Sequence, residues 1–222
     1  VKVSVVVPVL NEAQGIVAAL GALQGLRSRG HEVIVVDGGS ADGTATLAEP
    51  LADQAIAAPR GRASQMNAGA AAASGDALLF LHADTRLPEG ADRLVAEALA
   101  ARPWGRFDVR IEGRSPLLAL VAFFMNLRSR LTGIATGDQA IFVRRSGFPG
   151  FAPIALMEDI DFSRRMKRVA RPACLRAKVA TSGRRWERDG VLRTILLMWR
   201  LRLAYWLGES PDELARRYAN PG

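Results

Sequence analysis

Three apolar segments early in the chain each run into polar residues at their carboxyl ends, and this repetition constrains the fold more than any other feature. Val3 to Val9 leads into Pro8-Val9-Leu10-Asn11-Glu12. Val33 to Val36 leads into Asp37-Gly38-Gly39-Ser40-Ala41-Asp42-Gly43-Thr44. Ala77 to Leu81 leads into His82-Ala83-Asp84-Thr85. Runs this apolar, without polar alternation, read as strands covered on both faces of a parallel sheet. Helical stretches separate them, the βαβ pattern of an α/β fold. The carboxyl ends of such strands lie side by side and form the crevice where ligands bind. Asp37 ends its strand before a glycine-rich turn, where it can accept a hydrogen bond from a base or ribose. The alternative for that turn is plain capping by Ser40 or Asp42; three polar strand ends at one edge favour a site.

The spacing predicts helices over about 12–28, 42–49, 63–74 and 89–101, the last bounded by Pro88 and Pro103. A short strand is expected near 54–58. The second half is mixed: a strand over 107–111, an apolar helical run from Leu117 to Met125, a strand over 139–143, a charged helix over 159–169 and a long helix over 191–207. A chain of 222 residues suits one domain with a sizeable core. Residues 1–102 are expected to form a nucleotide-binding half. Residues 103–222 are expected to form an acceptor half with C-terminal helices, on the same sheet.

The formal net charge of +8 is unevenly placed: residues 111–222 carry 20 basic and 10 acidic residues. A basic half suits diphosphates, an anionic acceptor or an anionic membrane surface. No aromatic stacking platform or recognition helix accompanies the charge, so nucleic acid is not the expected partner. The lone Cys174 excludes an internal disulfide framework and reads as an inert thiol, consistent with a cytoplasmic setting. The chain opens directly in a strand, with no signal-peptide pattern. Neither the 117–125 run nor the arginine-interrupted 191–207 segment is long and apolar enough to span a bilayer. Two readings of these segments stand: packing on the sheet, or lying at the inner face of a membrane with arginines reaching for headgroups.

The motifs resemble those of the family-2 glycosyltransferases, which have the GT-A fold: a Rossmann-like, mostly parallel central sheet flanked by helices. Val5 to Glu12 is similar to the family's first strand, V-V-V-P-V-x-N-E. Val36 to Thr44 is similar to V-D-D-G-S-x-D-G-T, with Gly38 in place of the second Asp. The resemblance continues through Arg60-Gly61-Arg62-Ala63, Asn67-Ala68-Gly69, His82-Ala83-Asp84 and Glu158-Asp159, over roughly residues 3–186. The chain also looks like the small radical-SAM/selenodomain-associated transferases.

The resemblance implies a metal-assisted, inverting transfer from a UDP- or GDP-linked sugar to an acceptor hydroxyl. The donor would be held by Pro8, Asn11, Glu12, Asp37, Gly39, Arg60, Asn67, His82, Ala83, Asp84 and Arg185. Asp84 takes the place of the last Asp in the family's Asp-x-Asp motif and is the implied ligand of Mn2+ or Mg2+, hard cations that take carboxylate oxygen. His82 stands where the first Asp would be and supplies no negative charge. Asp159 is the implied general base, with Glu158 beside it; the alternative is acids that complement a helix dipole. Gly137, Asp138, Gln139 and Trp186 are expected on the acceptor side. Arg184-Arg185-Trp186 matches only the end of the processive members' Gln-x-x-Arg-Trp motif, since Ser182 occupies the Gln position.

Two other functions compete. A sugar-nucleotide nucleotidyltransferase would want a basic, glycine-rich loop after the first strand, where this chain has Val9-Leu10-Asn11-Glu12. A non-catalytic nucleotide-sugar-binding module is compatible with His82 but not with the retained Asp84 and Asp159.

Overall fold

The computed structural model describes residues 1–219; residues 220–222, the end of the range expected to form the domain, lie outside it. One eight-stranded sheet takes strands from both halves of the chain. At its centre β1 (Val3–Val9) pairs in parallel with β2 (Glu32–Asp37) on one side and β4 (Ala77–Phe80) on the other. β3 (Gln54–Ala57) extends the sheet beyond β2, also in parallel. Beyond β4 come β7 (Phe142–Arg144), β6 (Trp104–Glu112), β8 (Ala173–Ser182) and the two-residue β5 (Thr85–Arg86). The β4–β7, β6–β7 and β5–β8 pairs are antiparallel, whereas β6–β8 is parallel with an irregularity between Phe107 and Asp108. The sheet is therefore mostly parallel, as expected.

Strict side-chain alternation splits the core. Val3, Val5, Val7, Val33 and Val35 face one side, with Ile16 and Leu20 of α1 (Ile16–Gly21), Val95 of α5 (Ala91–Ala101) and Leu118 of α6 (Leu117–Thr132). Val6, Ile34, Val36 and Leu78 face the other, with Met66 of α4 (Arg62–Ala72) and Phe162 of α7 (Glu158–Val169). Each such aliphatic side chain, fully buried, contributes about 1.5–3 kcal/mol. A third, small cluster joins Met157 and Ile160 to Leu201 of α9 (Val191–Trp206) and Leu214 of α10 (Pro211–Ala219). It lays the two C-terminal helices against the start of α7.

Several expected elements are corrected. The single helix over 12–28 is two short ones, α1 and α2 (Gln24–Ser28). Gly15, Gly21 and Gly25 weaken that stretch, and the Gln24 amide bonds both Leu20 O and Leu51 O at 2.9 Å, pinning the break. The helix over 42–49 shrinks to α3 (Thr44–Ala48) followed by a 3-10 turn. The strand over 139–143 is the shorter β7, because residues 137–139 form a 3-10 turn and Ala140 sits at φ 46°. The apolar 117–125 run is the first part of α6. β5, β8, α8 (Arg184–Asp189) and α10 were not foreseen.

Candidate active site

Parallel pairing brings the carboxyl ends of β2, β1 and β4 to one edge; Val9 lies opposite Asp37, and Val6 opposite Phe80. The loops after β1 and β2 are stitched together there. Asn11 N–H donates to Ser40 Oγ at 2.8 Å and Asn11 Oδ1 accepts from Ala41 N–H at 2.9 Å. Glu12 N–H donates to Thr44 Oγ1 and Ala13 N–H to Asp42 Oδ2. These bonds hold Asn11 in the left-handed region at φ 54°, which asparagine tolerates better than most residues. Asp37 folds back on its own turn, accepting from Gly39 N–H, Ser40 N–H and the Ser40 hydroxyl.

Gly38 stands where the resembling motif has its second Asp, and the structure gives the reason. A Cβ there would lie 3.0–3.1 Å from the Gln65 side-chain amide. That amide donates to Val9 O and Val36 O, both at 2.8 Å, and so ties β1 to β2 beneath the loops.

In front of this edge lies a cleft of about 430 Å³. Of the expected donor residues, Pro8, Glu12, Arg60, His82, Ala83, Asp84 and Arg185 line it, as do Asp138 and Trp186 from the acceptor set. Asn11, Asp37 and Gly39 do not line it; they build the adjoining wall. Asn67 is also absent, because its side-chain amide is spent on the Phe151 backbone, donating to O and accepting from N–H. Gln139 is fully buried and braces Thr136 and Asn126.

His82 bridges the two sides of the site. Its Nδ1 lies 3.4 Å from Asp138 Oδ1, and a Cβ on Gly137 would come within 2.6 Å of its Nε2. Gly137 N–H in turn donates to Asp159 Oδ2 at 3.0 Å. Asp159 Oδ1 accepts from Ile160 N–H at 2.7 Å, so each carboxylate oxygen keeps a further lone pair. Asp159 and Glu158 thus stand one layer behind the cleft, joined to it through Gly137, His82 and Asp138. Glu158 is buried, and its pKa is pushed up to about 7, first by burial and then by the Asp159 charge. Desolvation by its neighbours works the same way on the half-exposed Asp138, yet the hydrogen bond and charge of His82, followed by Arg62 and Arg202, outweigh it and hold its pKa below the ordinary value.

Several arginines of the site were not singled out from the sequence. Arg62, at the first turn of α4, lines the cleft. Its exposed guanidinium is partly desolvated by the packed surroundings, but Tyr218, Glu158, Asp138 and Asp159 more than compensate, and its pKa is raised. Arg184 Nη2 lies 3.6 Å from Glu12 and 4.0 Å from Asp84. Arg202 lies near Asp159 and Asp138, and Arg128 near Arg202 and Asp159; burial is the main force lowering both pKa values, Arg128's to about 10. Arg185 instead turns to α10, stacking over the Tyr218 ring at 3.6 Å and donating to Tyr218 O. Arg60-Gly61-Arg62 and Arg184-Arg185 were visible as motifs, with nothing to say which arginine would point inward; among 30 basic residues, no motif marks Arg128 or Arg202.

The family model described as glycosyl transferase family 2 matches residues 4–145. Two proteins called uncharacterized glycosyltransferases, from Mycobacterium tuberculosis and Mycobacterium bovis, are each 37% identical over 97 residues; the match covers 43% of this chain and 43% of theirs. The chain thus matches less than half the length of these relatives. Among solved structures, S. aureus TarS 1-349 in complex with UDP-GlcNAc superposes with a TM-score of 0.64 at 19% identity, covering 82% of this chain and 58% of that one. Glucosyl-3-phosphoglycerate synthase from Mycobacterium tuberculosis, in complex with Mn2+, UDP and phosphoglyceric acid, gives 0.57 at 20% identity, covering 81% and 69%. At such identities the likeness shows the fold, the GT-A arrangement. Nothing in these matches singles out the radical-SAM-associated subgroup.

Proposed function

The chain belongs to glycosyl transferase family 2, and we propose from that premise that it moves a sugar from a UDP- or GDP-linked donor to an acceptor hydroxyl, with inversion. The observation that carries this reading is the pairing of one cleft with two unlike sets of groups. Asp84, Arg60, Arg62 and Arg184 stand at the strand ends, where a diphosphate would lie. The Glu158-Asp159 pair stands across Gly137 and His82, where an acceptor would be deprotonated. The UDP complexes of the fold neighbours support a nucleotide-sugar donor for this chain too.

The donor set fits a divalent cation. Asp84 offers a carboxylate whose nearest charged partner is the loose 4.0 Å contact with Arg184. No cluster of three His, Cys, Asp or Glu among the described residues makes an all-protein cage. One carboxylate completed by substrate phosphate oxygens and water suits Mg2+ or Mn2+. When bound, such a cation neutralises charge on the leaving diphosphate.

The chain's own residues do the rest. The stitched loops at Asn11 and Asp37 hold the base-and-ribose wall rigid. Arg60, Arg62 and Arg184 face the diphosphate with positive charge. Asp159, oriented by two backbone N–H groups, takes the acceptor's hydroxyl proton as that oxygen attacks the anomeric carbon. The new glycosidic C–O bond forms as the bond from sugar to diphosphate breaks on the opposite face, and the nucleoside diphosphate departs with that electron pair.

The test is a screen of UDP- and GDP-sugars for hydrolysis or transfer with manganese present, comparing the parent with Asp159→Asn. The variant should bind donor as the parent does and lose transfer by about a hundredfold or more. Full turnover by Asp159→Asn would move the base to Glu158 or Asp161, and consumption of nucleoside triphosphate with a sugar phosphate would mark a nucleotidyltransferase instead.

A further inference from the structure

The molecule's exposed apolar surface is concentrated on two helices. Of the large hydrophobic side chains left exposed among the described residues, most belong to α6 or to α9 and the residue just after it. On α9, Leu192, Leu196, Trp199, Leu203 and Trp206 recur at helical spacing and make one outward stripe; Trp199 is 72% exposed and Trp206 71%. The buried Thr194 and Leu201 lie on the opposite side of the helix. On α6, Leu120, Phe123, Phe124, Leu127 and Leu131 make a second stripe, opposite the buried Leu118, Ala122 and Asn126. The two helices approach each other closely enough for Arg202 of α9 to help lower the pKa of Arg128 of α6. Each helix therefore packs one face inward and leaves the other apolar and open to water.

The charges on these helices indicate what covers the face. Neither α6 nor α9 contains an Asp or Glu, and together they carry Arg128, Arg130, Arg193, Arg200 and Arg202. Arg200 stands exposed at the edge of the α9 stripe. Arg130 is engaged by Asp108, and Arg128 and Arg202 lie toward the acids of the cleft, so Arg200 is the guanidinium that borders the outward stripe. An anionic lipid surface suits an apolar face edged by positive and not negative charge: acyl chains accept the Leu, Phe and Trp stripes, and phosphate headgroups accept Arg200 at their border. No helix among the described residues is long and apolar enough to cross a membrane, so the contact is an in-plane one. We propose that α6 and α9 form a docking face that lies on an anionic membrane surface. The same α9 turns Thr194 and Met198 into the cleft, which sets the cleft beside that surface. The inference rests on surface chemistry and stands apart from the transfer reaction.

The experiment is cosedimentation of the full chain with vesicles of phosphatidylcholine alone and of phosphatidylcholine with phosphatidylglycerol, with tryptophan emission and sedimentation velocity in parallel. Binding to the anionic vesicles should be at least about tenfold tighter than to the neutral ones and should weaken with salt. Tryptophan emission should shift to shorter wavelength on binding. The pairs Leu196→Glu with Trp199→Glu, and Phe123→Glu with Phe124→Glu, should each weaken binding by about tenfold while melting like the parent, and Trp199→Phe should retain it. Absence of binding to anionic vesicles, or binding that these well-folded variants leave unchanged, overturns the proposal. So does a dimer in solution that the Trp199→Glu change dissociates, because a second copy would then own the face.

Discussion

Glu158 is a buried site acid whose pKa lies well above the ordinary carboxylate range. Its raised pKa means that the folded chain holds a proton the unfolded chain releases at lower pH. Stability from this group is therefore fully present below about pH 4.5 and is lost as pH rises through about 7. Glu158→Gln should remove that slope and make the protein more stable than the parent at pH 8, as urea titrations across pH 4–8 would read; an unchanged slope would place the titration elsewhere. At Gly38, introducing the motif's usual Asp should displace the Gln65 amide and cost roughly 1–3 kcal/mol. The cost should shrink when Gln65 is already Ala, a coupling a double-mutant cycle measures. Residue roles were legible in the sequence where a strand end fixed them: His82, Ala83 and Asp84 reach the cleft because β4 delivers them there. The motif residues Asn11, Asp37 and Asn67 were legible as important, but Asn11 and Asn67 bond backbone groups of neighbouring loops and Asp37 bonds its own turn, which no spacing rule reveals.

At the scale of elements, the parallel half follows from pattern alone, because β1, β2 and β4 are buried on both faces and read as unbroken apolar runs. β8 escaped notice for the opposite reason. It is half-exposed, carries Arg176 and Lys178, and owes its place to a parallel partner some seventy residues earlier in the chain, β6. That partner is anchored by a polar cluster hidden from any hydrophobic pattern. The fully buried Arg106 pairs with Asp108, which also meets Arg130 of α6, while Asn126 bonds both N–H and O of Val109 at 2.9 Å. Asp108→Ala should leave Arg106 buried and uncompensated and should destabilise the chain by about 3–5 kcal/mol, read as a large drop in denaturation midpoint. A loss below about 1 kcal/mol would mean that water or a neighbour reaches Arg106. The long helices α6 and α9 were foreseen, but which of their faces would stay open was not, since both faces carry apolar residues.

Across the whole molecule, charge and site share one organisation. The acidic groups Asp84, Asp138, Glu158 and Asp159 lie in or behind a cleft that arginines from α4, α6, α8 and α9 surround. The excess of basic residues after residue 110 supplies several of these arginines, Arg128, Arg184, Arg185 and Arg202 among them. The central claim is that the strand-end edge holds a nucleoside diphosphate through Asp84 and a divalent cation. Calorimetric titration of UDP and GDP into the protein, with and without manganese, tests it most directly when Asp84→Ala is run beside the parent. The parent should bind one of the two nucleotides in manganese and lose at least about tenfold in affinity without it, and the variant should bind equally weakly in both conditions. A variant that binds as tightly as the parent in manganese would contradict the account.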